Sequence, residues 1–158
     1  MKRLFLLVLL LLNVCTFANA QKWEISKIKG DALKGTADCY RCDFGVGYTF
    51  TCWSDSATIR IGCPFSIFNP RPMSFNQYVD VTIGLYVGDT LVETLKARFS
   101  LSSKLDTAYS YRKGLNKKII DHLKTKGDVR IFAPKYSGDD YDTRLPMNPD
   151  IRYNEKKR

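Results

Sequence analysis

The chain has 158 residues, 44% of them hydrophobic and 13% aromatic, and its 25 basic against 16 acidic side chains give a formal charge of +9. That length and apolar content describe one globular domain with a real core, and they exclude a disordered, collagen-like or multidomain chain. A basic balance admits nucleic acid or an anionic polymer as partner. Apart from the run near the C-terminus, however, the charges are scattered singly, the mark of a solvated face, so no nucleic-acid partner is expected.

The first twenty residues read as a cleavable export signal. Lys2 and Arg3 open it, residues 4–12 are an unbroken apolar run, and Ala18-Asn19-Ala20 supplies a small-x-small cleavage site. The run, interrupted by Asn13, is shorter than the roughly 20 apolar residues of a membrane span. Cys15 would be a lipid-anchor site only if a small residue preceded it, and Val14 is not small. The mature chain is therefore expected to begin at Gln21, to be periplasmic or secreted, and to have no membrane span.

After the signal the pattern is β. Residues 22–26 alternate as a short strand, 28–36 form a polar loop, and 38–42 are extended. Gly45-Val46-Gly47 suits a tight hairpin turn, since glycine adopts positive φ at no steric cost. Residues 48–53 place Tyr48, Phe50 and Cys52 on one face. After a turn at 54–57, residues 58–63 place Ile59, Ile61 and Cys63 on one face and Thr58 and Arg60 on the other. Residues 64–74 are a proline-punctuated loop. The longest strands are 78–87 and 90–101, joined at Gly88-Asp89, with Leu91, Leu95, Ala97, Phe99 and Leu101 read as one apolar phase. Residues 107–111 suit another strand.

The period then changes. Leu115, Ile119, Ile120 and Leu123 make one stripe of a short amphipathic helix, with Gly127 placed as its C-terminal cap. Residues 128–133 are a strand, 136–142 a polar turn and 143–147 a last strand. About seven strands and one late helix predict a mainly β fold. The architecture expected is an antiparallel β-sandwich or open barrel, with a single domain over 21–148 and a basic flexible tail over 149–158.

Cys39, Cys42, Cys52 and Cys63 survive signal removal. An even set of clustered cysteines in an exported domain predicts disulfides. A zinc site is the competing reading, but the spacing of Cys52 and Cys63 gives no second knuckle. The turn at 45–47 is expected to bring Cys39 near Cys52, leaving Cys42 for Cys63. If 54–57 is a turn, Cys52 falls opposite Ile59 instead of Cys63.

No catalytic pattern, metal site or cofactor motif emerges. His122, the sole histidine, sits at the edge of the helix stripe and reads as partly exposed, with no orienting partner visible. Asp139, Asp140 and Asp142 resemble a calcium loop by charge alone and read as a strand-to-strand tip. The candidate binding surface is the cysteine-and-proline region, where Arg41, Trp53, Arg60, Phe68 and Arg71 combine guanidinium groups with aromatic rings.

Several segments together resemble one family. Trp23-x-x-Ser26 and Asp31-x-Leu33 open the mature chain, 58–63 resembles a strand ending in Arg-Cys, and 81–103 a hairpin whose return strand ends in Ser-Leu-Ser-Ser. Residues 114–134 resemble the helix and strand that follow. This order is similar to the periplasmic VasI/TagO-like proteins associated with type VI secretion, and the resemblance implies an exported, β-rich accessory protein. The expectation is thus a non-catalytic accessory or binding protein of the bacterial envelope with a protein or cell-envelope partner. The alternatives are an immunity or inhibitor protein against a secreted toxin and, third, a small cell-wall hydrolase.

Overall fold

The structure, a computed structural model, describes residues 22–34, 36, 38–45, 49–53, 58–62, 78–135 and 138–152. Among the described residues nine strands form one sheet: β1 (Trp23–Ile28), β2 (Cys39–Phe44), β3 (Thr49–Trp53), β4 (Thr58–Gly62), β5 (Tyr78–Val87), β6 (Thr90–Leu101), β7 (Thr107–Ser110), β8 (Val129–Ala133) and β9 (Tyr141–Leu145). A helix, α1 (Lys113–Thr125), lies between β7 and β8. The sheet order is β1-β2-β3-β4-β7-β6-β5-β8-β9, and every pairing is antiparallel. The mainly antiparallel β fold with one helix in the C-terminal half is as the periodicity predicts. The nine strands join in one open sheet.

Alternation decides which face is buried. Phe50, Cys52, Ile59, Ile61, Val79, Val81, Ile83, Phe99, Ala108, Val129, Ile131 and Leu145 all point to one face and are buried. Helix α1 lays Ile119, Ile120 and Leu123 against that face, touching β4 and β8. A stripe that half-covers a 13-residue helix has to be buried against something, and the apolar face of the sheet supplies the cover.

The two edges of the sheet are brought together. Trp23 on β1 donates its indole N–H to the Pro146 carbonyl just after β9, at 3.0 Å, and packs its ring against Phe44 and Phe50. The segment after β9 crosses the end of the helix: the Asn148 N–H bonds the Leu123 carbonyl at 2.8 Å, and Ile151 is wholly buried. Ile151 belongs to the core although the sequence places it in the tail.

Asn116 is a polar residue inside this core, and no period in the sequence marks it. Its amide nitrogen donates to the Ser110 carbonyl and its oxygen accepts from the Ser110 hydroxyl, so the first turn of α1 is pinned to the end of β7. Arg112 at the N-cap offers no side-chain cap, which leaves this pair as the anchor of the helix start. Asn116→Ala should lower stability by about 2–3 kcal/mol, because the Ser110 groups lose their partner inside the core. A urea unfolding midpoint unchanged from wild type would refute that role.

Four sequence readings are corrected. Leu91 is half-exposed and off the apolar phase. The ladder shifts between Leu85 and Tyr86, so that Leu85 faces Glu93 but Tyr86 faces Leu91; the extra residue, Val92, moves Leu91 to the outer face. Tyr141 and Asp142 lie in β9 and not in the turn, with Tyr141 buried. Gly127 follows the helix end, but its φ is not positive, unlike those of Gly45, Gly88 and Gly138. Glycine is required at 127 because a Cβ there would collide with the backbone of Tyr86. Finally, His122 is buried, its Nε2 lying 2.8 Å from the Tyr86 carbonyl. That acceptor requires the proton on Nε2.

The β2–β3 register overturns part of the expected cysteine pairing. Cys42, not Cys39, stands opposite Cys52, while Cys39 pairs with Ile28 on β1. The difference is three residues. An odd slip changes the face, and Cys39 lies on the outer side of β2 with Arg41 and Asp43, whereas Cys42 faces the core. Cys39 and Cys52 therefore cannot meet. Cys52 does fall opposite Ile59, as expected. Cys63 is outside the described residues, as is the bond proposed between it and Cys42.

Candidate binding face

The outer face of β2, β3, β4 and β7 carries the sequence candidates. Directly opposed residues share a face, so the register aligns Asp43, Thr51, Arg60 and Tyr109 in one row across four strands, with Arg41 and Trp53 in the row beside it. The Arg41 guanidinium lies 5.5 Å from the centre of the Trp53 ring. Its Nε is 2.6 Å from Asp43 Oδ2, a charge contact without the alignment of a hydrogen bond. Asp43 in turn accepts from the Thr51 hydroxyl. One carboxylate therefore holds both the strand beneath and the arginine above.

Arg60 is on the same face, one strand further on. A Cβ at Gly62 would press on the Thr49 hydroxyl at 2.8 Å and only touch the Arg60 guanidinium, at 3.7 Å, an ordinary contact. Arg60 Nε is buried with no hydrogen-bond partner among the described residues. Tyr109, opposite Arg60, stacks on Tyr111 with ring centres 5.9 Å apart and planes 14° apart, and Tyr111 is exposed. The structure thus brings together Arg41, Trp53 and Arg60 and adds Tyr109 and Tyr111, which the sequence reading took only as part of a strand. Their signal was the same two-residue alternation that puts Ala108 inward. Phe68 and Arg71 lie outside the described residues.

Two further concavities lie away from this face. A cleft of about 590 Å³ runs between α1 and the β5–β6 hairpin, with His122 and Leu85 on its floor. Its rims are Lys117 with Asp121 and Lys118 with Glu93, both ion pairs. On the outer face of β5 and β8, a recess of about 200 Å³ has Gly84 as its floor and Tyr86, Leu91 and Phe132 as walls. Beside it Arg130 grips Asp142 through two bonds of 2.8 and 2.6 Å, and these hold the Asp142 carboxyl below the usual carboxylate range. Arg144 lies 5.1 Å from the centre of the Tyr86 ring.

Among the described residues no three histidine, cysteine or acidic side chains gather as metal ligands. Asp139 and Asp140 sit at the strand-to-strand tip, where Asp140 accepts the Lys135 N–H at 2.9 Å. No helix among the described residues is long and apolar enough to cross a membrane. No protein-family model matches the chain, and no curated protein or solved structure shows a significant similarity to it.

Proposed function

We propose that the protein is an exported, non-catalytic accessory or binding protein of the bacterial envelope, and that it engages a protein or cell-envelope partner through the outer face of β2, β3, β4 and β7. The observation that carries this reading is the Arg41–Trp53 stack, set beside Arg60 on a sheet face with Tyr109 and Tyr111 at its end. Guanidinium groups over aromatic rings are built to take carboxylates and flat or ring-shaped groups, and a sheet holds them without further ordering. The leader of residues 1–20 and the resemblance to VasI/TagO-like proteins support the compartment.

Two measurements test it. Mass spectrometry of the protein made in a bacterial host should find a chain starting at Gln21 in the envelope or medium; a chain retaining residues 1–20, or one acylated at Cys15, would refute the export reading. Capture from envelope extracts should recover a partner with the wild type and about five- to thirtyfold less of it with the Arg41→Ala/Trp53→Ala double variant. Loss of about 1–2 kcal/mol from a cation–π pair and its aromatic contact predicts that size of change. Equal recovery by both proteins would move the partner site elsewhere.

A further inference from the structure

Cys42 and Cys52 are directly opposite one another on β2 and β3, and both point into the core, 0% and 2% exposed. Opposed α-carbons of an antiparallel pair are about 4.5–5.5 Å apart, within the span that a disulfide bridges. The Cys52 S–H donates to Cys42 sulfur, which lowers the Cys42 thiol below its ordinary range and, together with burial, pushes the Cys52 thiol up. We propose that Cys42 and Cys52 form a cross-strand disulfide that locks β2 to β3, with the dithiol arrangement of the structure as its reduced form.

The chemistry needs an exchangeable disulfide as oxidant, whether glutathione disulfide or the disulfide of an oxidoreductase. Cys42 thiolate attacks one sulfur of that disulfide, forming a mixed disulfide and releasing one thiolate. Cys52 then loses its proton and attacks the Cys42 sulfur, displacing the second thiolate. Two electrons pass from the cysteine pair to the oxidant, and the two protons given up by the thiols are taken by the two leaving thiolates. Because both sulfurs are buried in the finished fold, the exchange takes place on the β2–β3 hairpin before the sheet closes over it. Cys39 cannot substitute for either sulfur, since it lies on the other face of β2.

The chain offers a clean readout. Trypsin cuts after Arg41 and Arg60, so the peptide 42–60 contains Cys42 and Cys52 and no other cysteine, while Cys39 and Cys63 fall on the peptides before and after it. The reduced, unfolded full-length protein is refolded with a mixture of reduced and oxidised glutathione, alkylated in denaturant and digested. This needs no export and is independent of where the protein resides. The expected result is peptide 42–60 lighter by two hydrogens, unlinked to either neighbour and unalkylated. Reduction should lower the melting temperature of wild type but leave a Cys42→Ala/Cys52→Ala variant unaffected by redox state at these positions. Peptide 42–60 alkylated at both cysteines, or joined to the peptide carrying Cys39 or Cys63, would overturn the proposal without any variant.

Discussion

Gly127→Ala is expected to destabilise the protein by about 3–5 kcal/mol, a loss visible as a fall of roughly 10–15 °C in melting temperature. The added carbon would stand 3.1 Å from the Tyr86 carbonyl carbon and 3.3 Å from Val87 Cα, and closer still to the Tyr86 oxygen. All three are backbone atoms of β5, so no rotamer change can relieve the contact. The end of α1 would have to lift from the sheet, taking with it the bond from His122 to the Tyr86 carbonyl and that from the Tyr86 N–H to the Asp128 carbonyl. Gly114→Ala is the matched control. It lies in the first turn of α1, whose other end Gly127 follows, with nothing within 4 Å of the new carbon, and should stabilise by about 0.5–1 kcal/mol by favouring the helix and restricting the unfolded chain. Equal effects at the two sites would mean that helix propensity, not the contact with Tyr86, governs position 127.

Phe50→Ala should be as damaging, at about 3–5 kcal/mol. Phe50 is wholly buried between Phe44 and Ile61 on the neighbouring strands, and Trp23 meets its ring edge-on at 6.1 Å. Its removal opens a cavity where the two sheet edges meet, and the indole bond from Trp23 to Pro146 loses the ring that holds Trp23 in place. Leu33, fully exposed, serves as the comparison: Leu33→Ala should change stability by less than about 0.5 kcal/mol. A small effect at Phe50, measured by chemical denaturation, would show that the β1 edge is not part of the cooperative core.

What was legible in the sequence was whatever depends on period. Val79, Val81, Ile83 and Leu85 declared the inward face of β5, and Leu115, Ile119, Ile120 and Leu123 declared the helix, because burial on one side imposes a repeat of two or of three to four. What was hidden depends on register and on contacts distant in the chain. Two glycines at 45 and 47 admit several turns on sequence grounds, and only the β2–β3 register decides whether Cys39 or Cys42 faces Cys52. The extra residue at Val92 reversed Leu91 with no change of composition to mark it. His122 and Asn116 look like ordinary polar helix positions until Tyr86 and Ser110, brought in by β5 and β7, supply their acceptors. Arg41, Trp53 and Arg60 were singled out by type, but only the pairing of three strands places them on one face.

The indole bond from Trp23 to Pro146 also bears on when this protein can finish folding. Its two residues are 123 positions apart, so β1, the earliest element of the sheet to be made, stays without its cover until almost all of the chain has been synthesised. The ring of contacts around Trp23, Phe44 and Phe50 is closed by the last strand and the segment behind it. Such long-range closure slows folding, because the loop entropy is lost before the contact is gained. Until that C-terminal part arrives, the partial product has an incomplete core and an open edge.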